Sequence, residues 1–247
     1  MDNKLNDLFN FLDSNRRYNH YLQEGFYKSI VLPFETPKDK VVSLLYNIAN
    51  TQSQPNIDKL ANFFKSIIPD NECFESFSNF VYKINSNSQI KVCFESLFKG
   101  MEQQSGWGNK TSALFSKTIY HLHNGHYSEK LKIWNDVPKF IDETDNFYLP
   151  VDSVIITIFN KIDGSTNWNF NNINSKLKIN YNKQQIEVWD DLWFWGFITQ
   201  KGSDNNRALV WNENKYWSLK ETDKDPEMIN EIRLKSLEFL KIIMNDK

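Results

Sequence analysis

Residues 105–111 read Ser105-Gly106-Trp107-Gly108-Asn109-Lys110-Thr111. Apolar residues at helical spacing precede this stretch from Val92 to Met101 and follow it from Leu114 to Leu122. Two of the eight glycines fall within it, and glycine permits positive φ angles and close backbone approach. The pattern therefore predicts two helices joined by a tight turn over about residues 90–124.

Such a turn presents consecutive backbone N–H groups beside a helix N-terminus, an arrangement that can hold a phosphate. A G-x-G pattern alone is more often an ordinary turn between helices. Lys110 falls in the first turn of the second helix, where the helix dipole and partial burial favour the neutral, nucleophilic amine. A solvated surface lysine is the more common alternative when such a residue stands alone.

A second informative segment contains Pro150, Val151 and Asp152, which introduce an apolar run. The composition of that run fits a strand or a helix, but a proline followed by a capping carboxylate favours a helix over about residues 150–162. Asp152 is therefore a predicted N-cap. If it also faces a cleft, its carboxylate can stabilise a developing cation or accept a proton.

Helical periodicity dominates the rest of the chain. The polar, Asn-rich stretch 164–182 gives no clear assignment, and the aromatics of 207–219 alternate as in a small β-hairpin near the C-terminus. We expect one all-α, mostly helical domain over residues 1–247, with two helical lobes and a cleft between them. The further predicted helices are 37–49, opened by Thr36 and Pro37, and stretches within 60–67, 74–81, 185–197 and 227–244.

The overall charge argues against a generally basic surface. With 29 Lys and Arg residues against 31 Asp and Glu residues, the formal net charge is −2. Proteins that bind nucleic acid usually carry a basic excess, because neutralised phosphates supply most of their non-specific affinity. Any DNA contact must therefore come from a local basic face.

Cysteine content and hydropathy exclude other classes. The two cysteines, Cys73 and Cys93, cannot supply a four-cysteine cluster or a disulfide framework, so we expect reduced thiols. The sequence has no apolar stretch of 18 residues and no apolar run at its N-terminus, so we expect no membrane span, no secretory signal and a cytoplasmic location.

In combination, the two motifs resemble the catalytic core of the 8-oxoguanine branch of the helix-hairpin-helix DNA glycosylases. The resemblance covers about residues 41–162. It implies that Lys110 is the nucleophile and Asp152 its assistant, and that the turn contacts DNA. The matching positions are Gly106, Gly108 and Lys110 in the hairpin, with the adjoining Asn109 and Thr111, and Pro150, Val151 and Asp152 in the aspartate motif.

Two further segments resemble parts of that family. Residues 50–54, NTQSQ, lie where the family has a polar loop that enters the duplex, which makes Gln52 and Gln54 candidate DNA contacts. Residues 189–196 resemble the late helix that lines the base pocket. Most of its rings should lie in the core, with either Trp193 or Trp195 facing the pocket and stacking on an extruded base.

The resemblance implies a bifunctional DNA glycosylase/AP lyase. Its partner would be double-stranded DNA with a damaged or modified base, and it would excise an oxidised or modified purine such as 8-oxoguanine through a lysine Schiff base. No redox cofactor or metal is implied, although the hairpin carbonyls could hold a monovalent cation, as in relatives.

Three departures favour an alternative. The spacing from Lys110 to Asp152 exceeds that usual in the family, so residues 127–148 look like an insertion that could form an extra helix. Val154 stands where some relatives have a phosphate-contacting histidine, and the charge is near neutral. The alternative is a glycosylase-fold protein repurposed in bacterial anti-phage defence, which binds a modified nucleotide, nucleic acid or a protein partner. A purely structural helical protein is a third interpretation.

Three histidines, His121, His123 and His126, suggest a metal site by their number. Helical positions two apart point in different directions, however, so a cluster of surface histidines is the favoured interpretation.

Overall fold

The computed structural model describes residues 1–202 and 207–244, most of which are helical. The strands β1 (Gln200–Lys201) and β2 (Ala208–Leu209) form one short antiparallel pair, in which Gln200 lies opposite Leu209. The predicted mostly helical fold class is therefore confirmed. In the described part of the chain, no helix has both the length and the hydropathy of a membrane span.

Most helices follow one another with short connections, and a long, mostly irregular segment over 125–152 separates α7 from α8. In chain order they are α1 Asp2–Ser14, α2 Arg16–Val31, α3 Pro37–Ala49, α4 Ile57–Ile67, α5 Phe77–Asn85, α6 Phe94–Glu102, α7 Asn109–Asn124, α8 Ser153–Ile162, α9 Phe170–Asn180, α10 Lys183–Val188, α11 Asp191–Ile198, α12 Glu213–Trp217 and α13 Ile229–Met244. Short 3₁₀ turns lie at Glu72–Phe74, Glu129–Leu131, Glu221–Asp223 and Pro226–Met228.

The chain divides into two compact units. Unit 1 consists of Met1–Phe26 and Val151–Lys247, and unit 2 consists of Tyr27–Pro150. Lys110 therefore belongs to unit 2 and Asp152 to unit 1. That the two units together make one glycosylase-like domain stays a prediction.

Unit 2 contains the predicted helix pair of the hairpin. Helices α6 and α7 pack along each other, α5 packs on α6, and α3 packs on α7. The ring of Phe80 lies 5.7 Å from that of Phe115 and 5.6 Å from that of Trp134, measured between centroids. Thr36 caps α3 by accepting from the Asp39 N–H, with Pro37 in the first turn, as the sequence predicts.

The expected extra helix within residues 127–148 is wrong. Apart from the turn at Glu129–Leu131, this segment is irregular. Its carboxylates instead cap other helices, because the first N–H groups of a helix have no partner within it. Asp136 accepts from the N–H groups of Phe77 and Ser78 at 2.8 and 2.9 Å, at the start of α5. Asp145 accepts from Phe94 and Glu95 at 3.0 and 2.8 Å, at the start of α6.

Unit 1 buries large aromatic rings between its helices. Helix α8 packs against α11 and α13, and α1 packs against α13. Trp195 lies at the centre, with its ring 5.1 Å from Phe11 and 5.6 Å from Tyr18. The predicted helix over 185–197 is two helices, α10 and α11, which are separated at Trp189 and Asp190.

Two polar segments of unit 1 differ from the sequence expectation. The Asn-rich stretch forms α9, because Asn169 and Asn172 cap its start reciprocally. The predicted hairpin over 207–219 is wrong in its position. Asn212 caps α12 instead, and the strand pair is formed by 200–201 with 208–209. Asparagine favours turns and helix caps alike, so the sequence alone does not separate the two.

Candidate functional site

The turn between α6 and α7 requires glycine at its first glycine position. Gly106 has a φ of +83°, and a Cβ atom there would lie 2.9 Å from the backbone nitrogen of Leu60. Gly108 has an ordinary extended φ of −137°. A Cβ atom at Gly108 would meet no atom of the described residues within 4 Å. The predicted tight turn is therefore confirmed, and the backbone at Gly108 is open to approach.

The side chain of Thr111 bonds to the backbone of this turn. Its Oγ1 accepts from the Gly108 N–H at 3.1 Å and lies 3.1 Å from the Gly108 carbonyl oxygen. The Thr111 residue is buried, so its side chain is not placed to contact DNA as the resemblance implies. Gly108 is exposed and Asn109 is half-buried at the start of α7, so these two remain at the surface.

Lys110 lies in the first turn of α7 and reaches across to the end of α3. Its Nζ donates to the Thr51 carbonyl at 2.9 Å and lies 3.3 Å from Thr51 Oγ1. The next residue, Gln52, donates from Nε2 to the Gly106 carbonyl at 3.2 Å. Gln54 is exposed on the same loop. Unit 2 thus brings the predicted hairpin lysine and the predicted polar loop together.

Asp152 caps α8 and also binds an indole. Its Oδ1 accepts from the N–H groups of Val154 and Ile155 at 2.9 and 3.2 Å, which confirms the predicted cap. Its Oδ2 accepts from Trp193 Nε1 at 3.0 Å. Three N–H donors therefore fix the orientation of this half-buried carboxylate.

The structure separates the two candidate pocket tryptophans. Trp193 is 37% exposed, whereas Trp195 is fully buried in the core of unit 1. Only Trp193 therefore offers a ring face to a ligand. It stacks on Phe197, with centroids 4.9 Å apart and ring planes 13° from parallel.

Two cations near Asp152 escaped the sequence analysis. Arg207 donates from its terminal nitrogens to Gln200 Oε1 at 3.2 Å and to Ser153 Oγ at 2.8 Å. Lys215 Nζ lies 4.4 Å from the centroid of the Phe197 ring. Burial lowers the pKa of Lys215, the charge of Arg207 lowers it further, and Asp152 opposes them. In the sequence, the i, i+4 spacing of Trp193 and Phe197 places both rings on one face of α11. This spacing was the sequence signal that pointed to this part of unit 1.

The hairpin carbonyls are partly occupied by the chain itself. The Gly106 carbonyl accepts from Gln52, and the Gly108 carbonyl accepts from the Ser112 N–H. A carbonyl oxygen has two lone pairs. The Gly108 carbonyl also accepts from the Thr111 hydroxyl, so the Gly106 carbonyl is the one with a lone pair left for a cation. A monovalent cation at the hairpin stays a prediction, and the reaction proposed below needs none.

The predicted surface cluster of histidines is wrong, because α7 buries His121 and half-buries His123. His121 is buried and its Nδ1 lies 3.2 Å from the hydroxyl of Tyr27. His123 Nε2 accepts from the Ile133 N–H at 3.3 Å. Burial, together with the charge of Lys132, lowers the pKa of His123 to about 4. Among residues 1–202 and 207–244, no group of three or more histidine, cysteine or acidic side chains is arranged to hold a metal ion.

The two cysteines are free thiols, as expected. Cys73 and Cys93 are both buried, and burial raises the pKa of Cys73 to about 12. A protonated, buried thiol is a poor nucleophile and a poor metal ligand, so neither residue belongs to a candidate site.

No protein-family model, curated protein or solved structure matches this chain. The likeness to the glycosylases therefore rests on the residues of the two motifs.

Proposed function

We propose that this protein is a DNA glycosylase/AP lyase that removes an oxidised or modified purine, such as 8-oxoguanine, from double-stranded DNA. The observation that carries the proposal is the position of Lys110. Its amine is held 2.9 Å from the Thr51 carbonyl, in the first turn of a helix that follows a glycine turn. Attack on a nucleotide sugar requires a positioned amine, and the open backbone at Gly108 leaves room for a strand beside it.

The proposed reaction starts with extrusion of the damaged nucleotide, because its C1′ atom cannot be reached inside the stack. The neutral amine of Lys110 attacks C1′. The bond from C1′ to the base nitrogen breaks, and its electron pair leaves with the base, which takes up a proton. The lysine loses its proton, the sugar ring opens, and a Schiff base links Nζ to C1′. Loss of a C2′ proton then expels the 3′ phosphate by β-elimination.

Asp152 takes the assisting role in this proposal. Its carboxylate stabilises the positive charge that develops on the sugar as the base leaves. The three N–H donors that orient it support this role, since a preoriented charge need not reorganise during the reaction.

Borohydride trapping tests the proposal. Wild-type protein is incubated with duplexes that carry 8-oxoguanine or an abasic site, and the Schiff base is reduced to a covalent adduct. We expect an adduct with wild type, none with Lys110→Gln, and a slower one with Asp152→Asn. The matched control is Lys59→Gln, because Lys59 also lies in the first turn of a helix in unit 2. Absence of an adduct on both duplexes contradicts the proposal.

A second candidate function is favoured by the charge balance and by Val154. With a net charge of −2 and valine in place of the histidine that contacts phosphate in some relatives, the chain would suit a repurposed glycosylase fold. In anti-phage defence, such a protein would bind a modified nucleotide, nucleic acid or a protein partner, and would act in the cytoplasm. Salt separates the candidates, because duplex affinity that depends on phosphate contacts falls steeply between low and high salt.

A further inference from the structure

Among the side chains that the structure describes, the guanidinium of Arg207 in unit 1 has no acidic partner. The terminal nitrogens of Arg207 donate to neutral oxygens of Gln200 and Ser153. Its Nε is buried and has no acceptor among the residues that the structure describes. Buried polar groups in proteins are normally paired, so an unpaired one is a position that a ligand, an ion or a water can fill.

Lys215 adds a second cation to this place. Its ammonium lies over the Phe197 ring, and the nearby charge of Arg207 contributes to the lowering of its pKa. Both cations lie around Asp152 and Trp193, because Arg207 binds Ser153 next to Asp152, and Lys215 lies over the ring that stacks on Trp193. An anion that binds between two such cations is attracted by both of them.

The exposed ring of Trp193 borders the same cluster. It stacks on Phe197, whose ring lies under Lys215, and its N–H is fixed by Asp152. A fixed and exposed indole is a suitable platform for a flat heterocycle, because every nucleobase has a π face. The Asp152 carboxylate disfavours a second anion near it, but three N–H donors share its charge.

We propose that this cluster is a nucleotide-binding site, in which Trp193 stacks on a base and Arg207 with Lys215 binds a phosphate of that nucleotide. The ligand class is a nucleoside monophosphate, either free or as part of a single strand. The stacking role of Trp193 is the one that the resemblance implies, whereas the phosphate contacts of Arg207 and Lys215 are new. The site lies within unit 1 and needs no chemistry from Lys110, so it does not depend on the lyase reaction.

Calorimetric titration with probes of known composition tests this site. The probes are the four deoxynucleoside 5′-monophosphates, the corresponding deoxynucleosides and a single-stranded ten-nucleotide oligomer. We expect at least one monophosphate or the oligomer to bind, and the deoxynucleosides to bind about tenfold more weakly, because they lack the phosphate. Binding of a monophosphate identifies a free nucleotide as the ligand, whereas binding of the oligomer alone identifies a strand.

Matched variants assign the binding to these residues. We expect Arg207→Gln and Lys215→Gln each to raise Kd about tenfold, and Trp193→Ala to weaken binding further. The controls are Arg233→Gln, which removes an exposed arginine, and Lys220→Gln, which removes a lysine that lies over the ring of Phe26 instead. Both should bind as wild type does. Lys215→Gln keeps the test valid if Arg207→Gln disturbs the fold.

The proposal is overturned if no probe binds, or if a variant that lacks both Arg207 and Lys215 binds as tightly as wild type. Failure of the lyase proposal gives a different result. Lys110→Gln should bind nucleotides as wild type does, so failed trapping with intact binding contradicts only the lyase chemistry.

Discussion

Asp152 has two structural tasks, and amide and alanine variants separate them. Its Oδ1 caps α8, and its Oδ2 accepts from Trp193. Asp152→Asn keeps a capping oxygen, so it should leave the free energy of unfolding within about 0.5 kcal/mol of wild type. Asp152→Ala removes the cap and should cost about 1 kcal/mol. Urea denaturation measures both values.

The same pair of variants reports on catalysis. Both should slow borohydride trapping, because both remove the negative charge from the site. If Asp152→Asn retained wild-type trapping, the carboxylate would have its two structural tasks and no catalytic one. The cap itself could be predicted from Pro150 and Asp152 in sequence, whereas the bond to Trp193 could not. Its two partners are far apart in the chain, and no local pattern links them.

The two glycines of the α6–α7 turn differ, because the fold constrains Gly106 but not Gly108. Gly106 combines a positive φ with a close approach to Leu60, so Gly106→Ala should destabilise the protein by about 1–3 kcal/mol. Gly108 has neither constraint within the described residues, so Gly108→Ala should be nearly neutral for stability. The difference is measured by thermal denaturation.

Duplex binding by Gly108→Ala tests whether the open backbone serves a ligand. An added methyl group should weaken affinity for DNA while the fold remains intact, because it keeps a phosphate away from the turn. Wild-type affinity in this variant would show that DNA does not approach at Gly108.

At the level of elements, the sequence predicted those helices that carry both a cap and an apolar stripe. Helices α3 and α7 begin and end close to where Thr36, Pro37 and Gly125 indicate. The prediction failed for α9 and α12, which local asparagines cap, and for residues 127–148, whose aspartates cap helices that are distant in the sequence. Asp145 caps α6 from far along the chain, and no periodicity in residues 127–148 reveals that role.

At the level of the whole molecule, the two ends of the chain share one compact unit. The sequence singled out Lys110 and Asp152 as candidates but not Arg207 or Lys215. Lys110 and Asp152 lie in short motifs at helix starts. Arg207 and Lys215 come near Asp152 only because β2 and α12 fold back near the start of α8. Local patterns carry no information about such long-range neighbours.

The half-buried imidazole of His123 predicts loss of stability in acid. Its pKa is lowered to about 4 in the folded protein, against about 6.5 in an unfolded chain. The unfolded state therefore binds more protons between these values, and its advantage grows as the pH falls. Relative to His123→Gln, wild type should lose about 2 kcal/mol of unfolding free energy between pH 8 and pH 5. Urea denaturation at both pH values, with His126→Gln as the exposed control, measures the difference.

Asp191 in unit 1 predicts the opposite dependence. Burial raises the pKa of this carboxyl to about 8, although Arg16 and the 2.5 Å hydrogen bond from Asn19 act against burial. The folded state thus binds the proton more tightly than an unfolded aspartate does, and this contribution to stability is present at low pH and is lost as the pH rises toward 8.

Asp191→Asn mimics the protonated form, which keeps an acceptor for Asn19 and removes the charge. Compared with this variant, wild type should become progressively less stable between pH 5 and pH 8. Asp13→Asn, which alters an exposed aspartate of the same unit, is the control. Parallel curves for wild type and Asp191→Asn would mean that Asp191 is charged at pH 5 and that Arg16 outweighs burial, so the acid sensitivity from His123 would stand alone.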